Sequence, residues 1–199
     1  MLEPLFIGKK QINLTEVDST NSLMKELVQQ SKNEPEGLVV TAKNQLQGRG
    51  QSGNSWEGEK NKNLTFSLYL KPNILAQKQF LISKVVALGM VDFLNHLEVK
   101  NVLIKWPNDI YCHQKKIAGI LIENVLRKEK VYSAVVGIGL NVNQTHFKTT
   151  NHPTSIFNET GKEQDVETVL SQLLFFIEKR YIILKQGKEK VIDADYLEL

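Results

Sequence analysis

Between residues 102 and 141 four short strand-like runs follow one another with no room for a helix between them. Val102–Lys105, Asp109–His113, Ile117–Val125 and Val131–Asn141 are apolar and rich in β-branched residues, and the tight Gln114-Lys115 connection predicts an antiparallel hairpin. Helical spacing lies outside this run. Leu23, Met24, Leu27 and Val28 recur at helical intervals after Asp18-Ser19-Thr20-Asn21, a stretch of N-cap residue types. Phe80–Leu97 carries the strongest helical pattern, Val166–Lys185 reads as another helix, and a last helical piece covers about residues 188–199. Helices gathered around a block of adjacent strands favour an α+β domain, a mixed sheet flanked by helices, over βαβ repetition.

The remaining segments fit that frame. Ile12–Val17 and Leu38–Ala42 read as strands, with a turn at Glu34-Pro35-Glu36-Gly37. Leu64, Phe66, Leu68 and Leu70 alternate with Thr65, Ser67 and Tyr69, which predicts a half-buried strand ended by Pro72. Gln47–Asn63 holds four glycines and few apolar residues, so it reads as a long loop, and Gln144–Gly161 as mostly polar loop. There is no internal repeat, heptad pattern or convincing linker, and 199 residues suit one domain or one and a half.

Composition narrows the class of function. The net charge of +3 is spread evenly, so charge alone demands neither nucleic acid nor a membrane as partner. One cysteine, Cys112, excludes an internal disulfide, and His96, His113, His146 and His152 show no mutual metal spacing. No run reaches the ~18–20 apolar residues of a membrane span, and Met1–Gln11 lacks the apolar stretch of a signal peptide. The expectation is a cytoplasmic protein. GxSxG and GxxxxGK[ST] motifs are missing, which leaves serine-hydrolase and P-loop readings without support.

Four clusters carry the chemistry. Gly48-Arg49-Gly50-Gln51-Ser52-Gly53-Asn54-Ser55-Trp56 contains a literal GxGxxG, but no helix opens at the glycines, as a dinucleotide fingerprint requires. It reads better as a flap between strands, whose backbone N–H groups can approach an anion and whose Arg49 offers a forked cation. Trp56 has little to bury in such a loop unless a ligand or a closure covers it. In Lys105-Trp106-Pro107-Asn108-Asp109 an amide and a carboxylate follow a strand end; a plain turn is the competing reading. Lys116 opens an apolar strand with the small Ala118 and Gly119 behind it. Gly137 and Gly139 alternate in a strand and leave one face bare, for a side chain, a helix or a flat ligand, beside the amide of Asn141.

In this order and spacing the motifs resemble biotin protein ligases, also called biotin–[acetyl-CoA-carboxylase] ligases. The pieces that carry the resemblance are Asp18–Asn21, Gln45–Gly50, Trp56, Lys105–Asp109, Lys116–Glu123 and Gly137–Asn141, within roughly residues 16–161. The resemblance implies a catalytic domain related to class II aminoacyl-tRNA synthetases and lipoate ligases. It also implies an enzyme that forms biotinyl-5'-AMP from biotin and ATP and passes biotin to a lysine of a biotin carboxyl carrier protein. By resemblance, Ser19, Thr20, Gln45, Gly48, Arg49, Lys116 and Gly119 would bind biotin; Gly50, Gln51, Trp56, Asn108 and Asn141 would bind the adenylate or ATP. Lys116, Arg49 and Asp109 would serve catalysis, with magnesium at Asp109.

The resemblance has departures. Gln51 stands where a well-studied bacterial member has arginine. No DNA-binding helix-turn-helix precedes residue 16, so a repressor role is not expected, and the small SH3-like domain usual at the end of the family is expected to be absent, leaving one catalytic domain over 1–199. A homodimer paired through sheet edges is among the assemblies the resemblance allows. A lipoate or octanoate transferase, and a biotin-binding regulator without turnover, are the competing readings.

Overall fold

The structure, a computed structural model, describes residues 2–31, 33–148 and 152–199. Among them, eight strands form one mixed sheet in the order β1-β2-β3-β8-β7-β6-β5, with β4 attached to β8. β1 (Gln11–Leu14) and β2 (Val39–Ala42) pair in parallel, and α1 (Thr20–Gln30) is the crossover that parallel pairing requires. Each remaining pairing is antiparallel: β3 (Asn63–Leu70), β4 (Ile74–Leu75), β5 (Val102–Lys105), β6 (Asp109–Cys112), β7 (Lys115–Arg127) and β8 (Lys130–Asn141). The strands expected between 102 and 141 and the hairpin at 114–115 are present. β1 is shorter than expected; Val17 forms only an isolated parallel bridge with Gln45.

Helices cover both faces. α2 (Phe80–His96), α4 (Val166–Lys185) and α5 (Glu189–Leu197) enclose the main core, whose sheet side is built from Leu64, Phe66, Leu68, Leu70, Val136, Ile138 and Leu140. Gly89 lets α2 and α4 meet closely: a β-carbon there would lie 2.7 Å from Ile177 Cα. On the opposite face, Met24 of α1 packs with Leu38, Val40, Tyr69 and Val135. This double cover corrects the expectation for β3. Its alternation is genuine, but all eight residues are buried, because α1 and the polar residues beneath it roof the face that was expected to meet water. The described part of the Gln144–Gly161 segment is mostly loop, as expected, with one addition. It contains a short helix, α3 (Ile156–Thr160), capped by Ser155 and ended by Gly161 at φ 70°, whereas 149–151 lie outside the described residues. Five residues are too few to display a helical period.

Among the described residues no helix is long and apolar enough to cross a membrane.

Candidate functional site

The face of the sheet beneath α1 changes character at Gly137 and Gly139 of β8. Gly139 stands opposite Thr65 of β3 and Gly119 of β7, so two adjacent strands carry no side chain at this level. This bare shelf floors a cleft of about 160 Å³. Gly137 is covered by Asn21, whose Oδ1 lies 2.4 Å from where a β-carbon would stand. Gly139 is covered by the Trp56 indole, with Cε2 at 2.2 Å and Cζ2 at 2.6 Å from such a β-carbon, and the same ring comes within 3.1 Å of one at Gly119. The bare face is therefore filled by side chains of the chain itself. The indole N–H of Trp56 is buried and meets no acceptor among the described residues. A volume of 160 Å³ is small against the ~300–1,000 Å³ usual for small-molecule sites, and the indole occupies part of the shelf.

One wall of the cleft is polar and comes from the start of α1. Ser19 caps the helix by accepting from the Ser22 N–H. The Thr20 N–H and hydroxyl both donate to Gln45 Oε1, at 2.8 and 3.1 Å. The Ser67 hydroxyl lies between Thr20 Oγ1 (2.8 Å) and Asn21 Oδ1 (2.5 Å). Ser19, Thr20, Asn21 and Ser67 are all buried, so this wall is a fixed array of donors and acceptors.

The glycine-rich loop forms the roof. It is a small hairpin: Gly50 N–H donates to Asn54 carbonyl (2.7 Å), Trp56 N–H donates to Gly48 carbonyl (2.9 Å), and Arg49 bridges Ser55. Gly48 is required by closeness, since a β-carbon there would sit 2.7 Å from the Trp56 carbonyl oxygen. Arg49 reaches over the cleft to Glu123 of β7, Nη2 to Oε1 at 2.8 Å, and Lys25 of α1 meets the same oxygen at 2.8 Å. Burial raises the Glu123 carboxyl, but hydrogen bonds from Lys25 and Asn21 and the charges of Arg49 and Lys25 outweigh it and hold the group below the ordinary glutamate range.

The far wall comes from β6 and β7. Asn108 exchanges bonds with Ile120, its backbone carbonyl accepting at 2.8 Å and its amide donating at 3.1 Å. Asp109 stands opposite Gly119, and Lys116 Nζ lies 2.7 Å from Asp109 Oδ1. A bulge puts Lys116 there. Tyr111 pairs with Lys116 although Ile110 pairs with Ala118, so Ile117 is the extra residue. Ile117 and Ala118 both turn into the core, fully buried, and Lys116 emerges on the same face as Gly119. Its ammonium stands 5.8 Å from the Trp56 ring centre. Trp106, 71% exposed, sits beside this wall, and its peptide bond to Pro107 is cis.

Of the residues singled out from the sequence, Ser19, Thr20, Gln45, Arg49, Gly50, Gln51, Trp56, Asn108, Asp109, Lys116 and Gly119 all line this one cleft. Gly48 and Asn141 do not. Gly48 lies behind the roof against the Trp56 backbone, and the Asn141 amide donates at 2.9 Å to the Thr154 carbonyl, bracing the segment that pairs with Lys116. The sequence reading gave no role to Asn21, Ser67 or Glu123. Asn21 and Glu123 stood inside motifs already noted, but a small polar residue at a helix start and a carboxylate at a strand end have commoner explanations. Among the described residues, one set of metal-type ligand atoms comes together, Cys112, His113 and Glu159. Its thiol donates to the Lys100 carbonyl and is pushed up to about 12 by burial and Glu159, while Glu159 is already taken by Thr154 and Lys115.

A profile of the biotin/lipoate A/B protein ligase family matches residues 14–141. The "Bifunctional ligase/repressor BirA" of Bacillus spizizenii is 32% identical over 182 residues, 88% of this chain and 54% of that protein. The biotin–[acetyl-CoA-carboxylase] ligase of Paracoccus denitrificans is 31% identical over 167 residues, 80% of this chain and 68% of that one. A biotin protein ligase from Aquifex aeolicus, solved with biotin and ATP, superposes with a TM-score of 0.79 at 31% identity, covering 94% of this chain and 77% of that one. The chain thus spans about half the length of the first of these relatives.

Proposed function

Starting from the premise that this chain belongs to the biotin/lipoate A/B protein ligase family, we propose that it joins biotin to ATP as biotinyl-5'-AMP and then to a lysine of an acceptor protein. The observation that carries this reading is a single cleft that combines three features: a fixed polar wall at Thr20 and Gln45, a side-chain-free shelf at Gly119 and Gly139, and two cations, Arg49 and Lys116, at its rim. A cyclic urea needs paired donors and acceptors in a shielded pocket, which Ser19, Thr20, Gln45 and Asn21 supply. A thiophane ring and an aliphatic tail fit the shelf once the indole yields its place.

The chemistry follows from charge. A carboxylate oxygen attacks the α-phosphorus of ATP, the bond to the bridging oxygen breaks, and pyrophosphate leaves. The acceptor lysine amine then attacks the acyl carbon and AMP leaves with the carboxylate oxygen. Both partners of the first step are anionic, so Arg49 and Lys116 offset their repulsion and hold them aligned. Among the described residues Asp109 is the one carboxylate lining the cleft, and with the polyphosphate it would supply hard oxygen donors to magnesium, which when bound would neutralise charge on the departing pyrophosphate. In the structure Asp109 instead holds Lys116, so a cation or phosphate arriving there competes for the pair. Gln51 at the cleft lip is a neutral contact for the adenylate phosphate. The Trp56 ring, whose N–H has no acceptor among the described residues, would pack on adenine after leaving the shelf.

We infer that the acceptor is a biotin carboxyl carrier domain, and that two copies of the chain can pair through the open edges at β1 or β5, which sedimentation tests. Biotin-dependent exchange of pyrophosphate into ATP is the deciding experiment. Exchange with biotin is expected. Exchange with lipoate or octanoate alone moves the reading to the sister activity, and tight biotin binding without exchange moves it to a binding protein.

A further inference from the structure

The geometry points to Glu123 as a positioning residue that latches the glycine-rich loop over the cleft through Arg49, with Lys25 setting how tightly it holds. Glu123 does not line the cleft; it lies outside it, on the same strand as Lys116. Three elements converge on its carboxylate. Arg49 comes from the roof (2.8 Å), Lys25 from α1 (2.8 Å), and the Asn21 amide donates at 3.1 Å. Asn21 also donates to the Leu121 carbonyl at 3.3 Å and covers Gly137, so its contacts run from the latch to the cleft floor. The chain entering the loop is fixed by Gln45, four residues before Arg49, whose Oε1 takes both Thr20 donors. The roof is therefore tied at Gln45 by neutral hydrogen bonds and at Arg49 by an ion pair, and the ion pair is the tie exposed to water: Arg49 is 44% and Glu123 26% exposed. A half-exposed pair is weak and reversible, which suits a latch and not a structural strut.

The two cations on one oxygen give Lys25 a distinct part. Lys25 offsets the charge of Glu123, so Arg49 is held without being fully neutralised and keeps positive potential facing the cleft. Removing Glu123 frees the loop. Removing Lys25 leaves Glu123 with Arg49 as its remaining cation and tightens the hold.

Amide exchange across residues 48–56 of the intact chain, without substrates, reads this directly. Glu123→Gln is expected to speed exchange by about two- to fivefold, the effect of losing one half-exposed ion pair, and Lys25→Gln to leave it unchanged or slower. Faster exchange in the first variant and not in the second is the signature of a latch. If both variants speed exchange alike, or Glu123→Gln does not speed it, the proposal is wrong and Glu123 serves only the fold. A second measurement rests on the reading of the chain as a biotin ligase: the share of biotinyl-AMP that escapes to solution instead of being transferred. Glu123→Gln should raise that share by a similar factor while biotin KM rises; an unchanged share would overturn the catalytic importance of the latch. If the exchange result stands but the unaltered chain makes no adenylate, the ligase reading fails and the latch does not.

Discussion

Gly139→Ala asks whether the Trp56 indole rests on the glycine shelf. A β-carbon at 139 would lie 2.2 Å from Cε2, 2.6 Å from Cζ2 and 2.7 Å from Cδ2 of that ring. Carbon atoms settle at about 3.5–4.0 Å, so the ring must retreat by roughly 1.3 Å or swing away altogether. What stands in the way is a side chain on a loop, which can yield, and alanine suits a strand better than glycine by about 0.5–1 kcal/mol. The net change in stability should stay within about 1 kcal/mol, while the indole loses its seat. Gly89→Ala makes the contrast. Its β-carbon would meet Ile177 Cα at 2.7 Å and Ile177 N at 3.0 Å, backbone of a packed helix that cannot step aside. That change should cost about 1–3 kcal/mol, seen as a lower Tm with Trp56 unmoved. The assay is tryptophan emission in a Trp106→Phe background, which leaves Trp56 as the one fluorophore of its kind. Gly139→Ala should shift emission to the red and weaken biotin binding, because the new methyl stands on the cleft floor. Unshifted emission together with unchanged biotin affinity would show that the ring does not sit on the shelf and that the cleft as described is wrong.

Lys116→Ala should lower biotin-dependent pyrophosphate exchange by about 10²-fold or more with little change in Tm, since the side chain supplies charge and not packing; near-normal exchange would remove Lys116 from the mechanism. Gln51→Arg should slow escape of biotinyl-AMP, measured by trapping released adenylate, because a guanidinium holds a phosphate more firmly than an amide does; faster or equal escape means residue 51 does not face the phosphate. Glu178, buried in α4, accepts the backbone N–H groups of Leu5, Phe6 (2.8 Å) and Ile7 (2.7 Å), so Glu178→Ala strands three donors and should cost roughly 3–5 kcal/mol in urea unfolding; a loss below 1 kcal/mol contradicts that anchoring. The Glu123 carboxyl is held below its ordinary value, so the latch is fully present at neutral pH and is lost only as pH falls through the lowered value. Exchange in residues 48–56, corrected for its intrinsic pH dependence, should stay slow down into the ordinary glutamate range and speed up only beneath it; acceleration already between pH 7 and 6 would point to another group.

The sheet and its helices were legible where long patterns repeat. The strands from 102 to 141 and helices α2 and α4 fall where alternation and helical spacing put them, because each spans enough residues to show its period. Burial of the second face of β3 was not legible: Thr65 and Ser67 look solvent-facing in sequence, and only the Ala42 carbonyl of β2, which accepts from Thr65, and α1, which meets Ser67 through Thr20, make them interior. Glu178 was hidden for a similar reason. Its partners are backbone N–H groups some 171 to 173 residues away, which no local pattern encodes. The cleft itself was legible as composition, through its glycines, Arg49 and Lys116, but not as geometry.

Lys116 shows why. Strict alternation along β7 puts residues 116, 118 and 120 on one face, and Ala118 and Ile120 belong to the core. On that count Lys116 would point away from Gly119 and be lost to the site. The extra residue at Ile117 reverses the count, and a bulge depends on how β6 and β7 pair, not on either strand alone. Once Lys116 turns over, its stem lies against Gly119 and its charge reaches Asp109 and the Trp56 ring, and a β-carbon at 119 would touch that stem at 3.4 Å and press on the indole at 3.1 Å. Bulge and glycine are thus parts of one device. The bare glycine face is room, but room that Trp56 already fills, so a ligand settling there takes a place the indole gives up. Its affinity then reports the difference between two occupants of one shelf, together with the cost of opening the loop that Glu123 holds.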